Sequence, residues 1–127
     1  MQSLLIIAHG SRKKVSNNEI LQLESSLRTE LADHYPIVTS AFLEFAPQSI
    51  PNAIKYCVEK GATNIRVLPY FLAAGVHVTE DIPAEIKSAS KQYSSLKIEI
   101  LPHLGSSRNI TRLIGSMLTS TGILHAI

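Results

Sequence analysis

The sequence predicts an α/β fold: one domain over residues 1–127, with a four-stranded parallel sheet and helices on both faces. Three observations carry this expectation. Short apolar runs alternate four times with longer segments of helical periodicity. The run SLLIIA lacks the polar alternation of a half-exposed strand, as burial on both faces requires. Turn and stop residues such as Pro36, Ser49, Gly61 and Pro83 stand where strands and helices exchange.

The elements follow in order. Ser3–Ala8 is the first strand. A polar loop, His9–Lys14, leads to a helix over about Ser16–Tyr35, whose stripe Ile20, Leu23, Leu27, Leu31 has helical spacing and which Pro36 closes. Ile37–Leu43 is the second strand. Ser49 caps a helix with apolar positions Ile50, Ala53, Ile54, Cys57 and Val58, and Gly61 ends it where a left-handed residue is wanted. Asn64–Leu68 is the third strand, followed by a long loop from Pro69 to about Val78. Thr79 or Asp81 starts the third helix, with Pro83 in its first turn and Ile82, Ile86 and Ala89 facing inward. Lys97–Leu101 is the fourth strand. Ile110, Leu113, Ile114, Met117 and Leu118 form the stripe of a last helix that Gly122 stops. Such units are joined by right-handed crossovers, and by likeness to flavodoxin-type sheets the expected strand order is 2-1-3-4.

Composition bounds the function. With 45% hydrophobic and 17% charged residues, the chain has the make-up of a soluble globular domain. Its longest strongly apolar stretch, Leu68–Val78, is interrupted by Pro69, Gly75 and His77 and falls short of the ~20 residues a spanning helix needs. No membrane association and no secretory leader are expected. The formal charge of +2, without a basic run interleaved with aromatics, argues against nucleic acid. Cys57 is the single cysteine, so no disulfide within the chain and no cysteine-rich cluster can form. It reads as a buried structural thiol, suited to a reducing cytoplasm.

In an open parallel sheet, ligands bind beyond the carboxyl ends of the strands. His9, Gly10, Ser11 and Arg12 follow the first strand, Glu44 the second, His77 lies in the loop after the third, and His103 follows the fourth. Three of the five histidines thus reach one edge. Gly10 lets backbone approach a bound group closely; the competing reading of His9 is a histidine that hydrogen-bonds its own loop. His77, in GVHVTED, has Glu80 or Asp81 available to hold its second ring nitrogen; the competing reading is a histidine at a helix start interacting with Glu80. Glu44, between Leu43 and Phe45, is a carboxylate among apolar neighbours that a metal or a proton would satisfy; a helix-capping role before Ser49 is the alternative. For His103 the competing reading is a residue that simply decorates its loop, and His34 and His125 lie at helix ends and need no special role. Two histidines and a glutamate suit Fe(II), Co(II), Ni(II) or Zn(II) without choosing among them.

Three segments resemble the small class II tetrapyrrole chelatases, the sirohydrochlorin cobaltochelatases and ferrochelatases of cobalamin and sirohaem synthesis. They are LLIIAHGSR, FLEFAPQSIPNAI and RVLPYFLAAGVHVTEDIPAEI, in family order across roughly the whole chain. The resemblance implies that His9 and His77 are the active-site histidines, with Glu44 their acidic partner, acting as catalytic groups and metal ligands. It implies a sirohydrochlorin-like substrate, Co, Fe or Ni as the second substrate, and no permanently bound cofactor. It also implies a short form that completes its cleft as a homodimer.

On this reading Gly10, Ser11, Arg12, Tyr70, Phe71 and Gly75 touch the tetrapyrrole. The apolar loop Tyr70–Ala74 would pack on its face, and Arg12 would pair with a peripheral carboxylate. Lys13 and Lys14 serve equally well as a solvated loop. Two rivals remain. A histidine phosphatase would use His9 as phosphoryl acceptor, but that chemistry wants arginine immediately before it, where Ala8 stands. A non-catalytic metal or tetrapyrrole carrier would use the same ligands.

Overall fold

A computed structural model describes residues 1–120. Gly122 and His125 lie outside the described residues. The strands are β1 (Gln2–Ala8), β2 (Ile37–Phe42), β3 (Asn64–Pro69) and β4 (Lys97–Ile100). The helices are α1 (Lys14–Glu30), α2 (Ile50–Glu59), α3 (Ile82–Ser90) and α4 (Asn109–Ser120). The four strands form one parallel sheet in the order β2-β1-β3-β4, as expected. The register brings Ala8 beside Phe42 and Ile7 beside Pro69, so β2, β1 and β3 end close together.

The unbroken apolar run of β1 has its cause in this topology: residues 3–8 are all buried, with partners on both edges and both faces. One face carries the larger core. There Leu5, Ile7, Ala41, Ile65 and Val67 meet Ile50, Ala53, Ile54 and Cys57 of α2 and Ile82, Ile86 and Ala89 of α3. Ser49 caps α2, accepting from the Asn52 N–H (3.3 Å), and Gly61 follows it at φ +98°. Cys57 is fully buried, and that burial pushes its thiol pKa up, against a smaller lowering from Ser3. The other face is thinner: Leu4, Ile6 and Val38 meet Leu27 and Leu31 of α1, with Tyr35 and Leu68. Ile20 and Leu23 are only half-buried, and α1 has no fully buried residue.

Several boundaries differ from expectation. α1 stops at Glu30, not Tyr35; residues 31–34 form a turn, since Pro36 forces its predecessor out of helical geometry. Helical structure begins earlier than expected in the third unit. A π-helical turn over His77–Asp81 precedes α3, with the Ile82 N–H reaching back to the His77 carbonyl. Pro83, lacking an N–H, cannot close the ordinary bond to Thr79, and the wider turn accommodates it. α4 forms, but its stripe does not face the sheet: Leu113, Ile114 and Leu118 are exposed. Among the described residues no helix is long and apolar enough to cross a membrane.

Candidate active site at the carboxyl edge of the sheet

β1 ends in His9, and the backbone turns at once through Gly10 (φ +92°). The Glu44 N–H donates to the His9 carbonyl (2.9 Å), which ties the loop after β2 to the loop after β1. A Cβ on Gly10 would overlap the Glu44 carbonyl oxygen. Glycine is therefore required both by φ and by close approach. The close approach foreseen for Gly10 is real, but its partner is the Glu44 backbone.

The two histidines meet. Their ring centroids are 4.9 Å apart, with planes inclined by 59°, and Phe71 lies 6.2 Å from the His77 ring. Each ring is held through Nδ1. His77 Nδ1 is 2.8 Å from Asp81 Oδ2, one turn on, so Asp81 rather than Glu80 is its partner. His9 Nδ1 is 3.0 Å from the Gly10 carbonyl oxygen. A carbonyl or a carboxylate only accepts, so in the neutral rings both Nδ1 atoms carry the hydrogen and both Nε2 atoms keep a lone pair. His9 thus does hydrogen-bond its own loop, through Nδ1, and Nε2 takes no part in that bond.

Glu44 stands on the free side of His9, with Oε2 3.7 Å from Nε2. Two acceptors face one another there, and a cation or a proton between them satisfies both. Both side chains are about half exposed (45% and 51%), so the expectation of a carboxylate in apolar surroundings fails for Glu44. Its apolar sequence neighbours point elsewhere: Phe42 is buried below, and Phe45, at φ +60°, turns outward. Nor does Glu44 cap α2, since Ser49 does.

A hollow of about 280 Å³ opens beside these groups, lined by Leu43, Glu44, His77, Asp81, Ala84 and Glu85. Glu85 escaped the sequence reading. Its only signal was its place one helical turn after Asp81. Among the described residues, no three His, Cys, Asp or Glu side chains converge as a ready-made metal cage. His9, Glu44 and His77 are adjacent, but they do not close around a point.

The remaining expected residues divide. Arg12 stacks on the Phe45 ring, 4.7 Å from its centroid, a cation–π contact at the rim. Ser11 spends its groups on its own loop: its N–H donates to Asn17 Oδ1 (2.9 Å) and its hydroxyl accepts from the Lys13 N–H (3.0 Å). Tyr70 and Phe71, with Leu72 and Leu104, line a smaller apolar hollow of about 130 Å³. The Gly75 carbonyl accepts from Val78 and Thr79 and launches the π-helical turn. His103 does not join the pair. It lines a different hollow with Leu68, Leu101 and Pro102, so of the four groups at this edge the structure brings together those that follow β1, β2 and β3.

The CbiX family model matches residues 3–121. The chain belongs to the CbiX family. It is 34% identical over 114 residues to the sirohydrochlorin cobaltochelatase of Sulfolobus acidocaldarius, covering 90% of this chain and 87% of that one. It is 39% identical over 83 residues to the corresponding enzyme of Methanocaldococcus jannaschii, covering 65% of this chain and 57% of that one. Its fold superposes on a crystal structure of the sirohydrochlorin chelatase SirB from Bacillus subtilis subspecies spizizenii in complex with cobalt. The TM-score is 0.83 at 28% identity, over 94% of this chain and 50% of that one. The chain therefore spans about half the length of several CbiX-family relatives and nearly all of others.

Proposed function

We propose that this chain inserts a divalent metal, Co(II) or Fe(II), into sirohydrochlorin, with metal and tetrapyrrole both as substrates. One observation carries the reading: two neutral-capable imidazoles lie side by side at the strand ends, each oriented through Nδ1 so that Nε2 is available. The names of the relatives quoted above, which cover this same segment, support it.

Insertion requires a tetrapyrrole to bend, to lose two protons and to strip water from the metal. A neutral imidazole near pH 7 either ligates the ion or accepts a pyrrole proton. Glu44 faces His9 Nε2 and shares that task. Asp81 holds His77, and Glu44, Asp81 and Glu85 make the hollow attractive to a cation. Three ligands that do not close around a point suit an ion that must be handed on. The exposed ring of Tyr70, with Phe71 and Leu72, offers an apolar surface to the macrocycle, and Arg12 at the rim offers a partner to a peripheral carboxylate. The openness of His9 and Glu44 calls for a second surface across the site, and we assign it to a second copy of the chain, in the cytoplasm that the lone buried thiol suits. A phosphatase role fits poorly, because the group facing His9 Nε2 is the anionic Glu44.

Sirohydrochlorin mixed with Co(II), Fe(II) or Ni(II) in turn tests this. The protein should accelerate the absorption change of insertion with at least one metal, and the ranking of initial rates identifies the physiological substrate. Stoichiometric binding with no acceleration by any metal would make the chain a carrier and overturn the proposal.

A further inference from the structure

The loop between β2 and α2 carries a backbone feature that the metal-binding groups do not explain. Phe45 has φ +60°, the one non-glycine residue in the left-handed region among those described. A bulky side chain is costly there, and glycine or asparagine would sit with less strain. Backbone bonds already fix this loop. The Leu43 N–H donates to the Ala8 carbonyl (3.1 Å), the Glu44 N–H to the His9 carbonyl (2.9 Å) and the Phe42 N–H to the Gln48 carbonyl (2.8 Å). The Phe45 ring adds nothing to the core either: it is 51% exposed and joins neither cluster of buried apolar side chains. Strain held by a side chain that the fold does not use points to a task at the surface.

The ring has one polar neighbour. The Arg12 guanidinium carbon lies over it, 4.7 Å from the centroid. Arg12 comes from the loop that begins at His9, and Phe45 directly follows Glu44, so the stack joins the two loops that carry reactive groups. Among the described residues Arg12 has no carboxylate partner; the ion pairs are His9–Glu44, Glu24–Arg28, Arg66–Glu99 and His77–Asp81. A guanidinium over an aromatic face keeps its N–H groups for a carboxylate, which it takes bidentately. Holding that long side chain in place beforehand lowers the cost of binding. The neighbouring hollow is anionic, with Glu44, Asp81 and Glu85. A macrocycle with carboxylates around its edge is repelled by that lining and drawn to Arg12.

We propose that Phe45 is a positioning residue for substrate choice: its ring holds the Arg12 guanidinium ready for one edge carboxylate of the tetrapyrrole. The ring also gives the guanidinium a resting place other than the adjacent Glu44, whose carboxylate stays free to face His9. Metal and macrocycle are thereby received by groups of opposite charge on the same pair of loops. The proposal rests on the tetrapyrrole reading above and adds what makes the site prefer a carboxylated macrocycle to an apolar one.

The test is the binding of metal-free sirohydrochlorin, followed by its fluorescence, to the native chain, Phe45→Asn, Phe45→Tyr, Arg12→Gln and the Phe45→Asn/Arg12→Gln double variant. Asparagine tolerates the left-handed conformation, so Phe45→Asn removes the ring without opposing the loop, and its urea midpoint should equal or exceed the native one. Binding should weaken ~3–10-fold in Phe45→Asn and hold in Phe45→Tyr, which keeps an aromatic face for the cation. Adding Phe45→Asn to Arg12→Gln should cost nothing further, because the ring acts through the arginine. An equal loss in both backgrounds would mean that the ring packs on the macrocycle itself. That result overturns the proposal. So does full binding by Phe45→Asn, weak binding by Phe45→Tyr, a urea midpoint that falls with the affinity, or no sirohydrochlorin binding by the native chain. Because no metal is present, a chain that binds in the expected pattern but inserts nothing would overturn the insertion reading and leave this one standing.

Discussion

At the scale of single residues, His77 is defined by what holds it. Asp81, four positions on and 2.8 Å away, selects the ring's tautomer and leaves Nε2 for the metal or a proton. Asp81→Asn retains the shape but not the obligate acceptor, so the rate of metal insertion should fall by ~10–100-fold with the fold intact. Full activity in Asp81→Asn, measured by the same absorption assay, would remove Asp81 from the account. Gly10 is a different case, fixed by backbone alone. Gly10→Ala meets the Glu44 carbonyl at a φ that L side chains avoid and should cost ~1–3 kcal/mol, read as a lower urea midpoint. His9, His77 and Gly10 were legible in the sequence because each directly follows or precedes an element boundary. Glu44 was placed correctly but its surroundings were not, because apolar neighbours in sequence turn away when Phe45 adopts a positive φ. The choice of Asp81 over Glu80 depended on the π-helical turn, which sequence periodicity does not encode.

At the scale of elements, burial explains which boundaries could be read. β1 and α2 have unmistakable patterns because every apolar position has a packing partner. Ile54, fully buried between α2 and the sheet, shows the weight of that contact. Ile54→Ala should destabilise the domain by ~2–5 kcal/mol in chemical denaturation while leaving the His9–His77 pair in place. A cost below ~1 kcal/mol would mean that the α2 face is packed less tightly than the structure shows. α1 was overextended because residues 31–35 keep helical spacing, and only the restraint from Pro36 ends the helix. α4 was recognisable as an amphipathic helix. Its target was not, since a stripe declares that it needs a partner without saying which surface supplies it.

At the scale of the whole molecule, the parallel sheet is a device for convergence. Strands of order 2-1-3-4 end side by side, and the loops after β1, β2 and β3 bring His9, Glu44 and His77 together from positions far apart in sequence. His103 falls away because β4 is separated from β1 by β3, and it lines a hollow with Leu68 and Leu101 instead. The strand order could be expected only by likeness to flavodoxin-type sheets, since crossover handedness alone allows other orders, and that separation could not, because it depends on where the last helix goes. The central claim is that the His9–His77 pair performs metal insertion. The most direct measurement is the initial rate of Co(II) insertion into sirohydrochlorin by the native chain and by His77→Ala, followed by absorbance at matched protein concentration. The account predicts acceleration over the uncatalysed reaction by the native chain and a loss of ~100-fold or more in the variant. An equal rate for both proteins, or none above background for either, would contradict it.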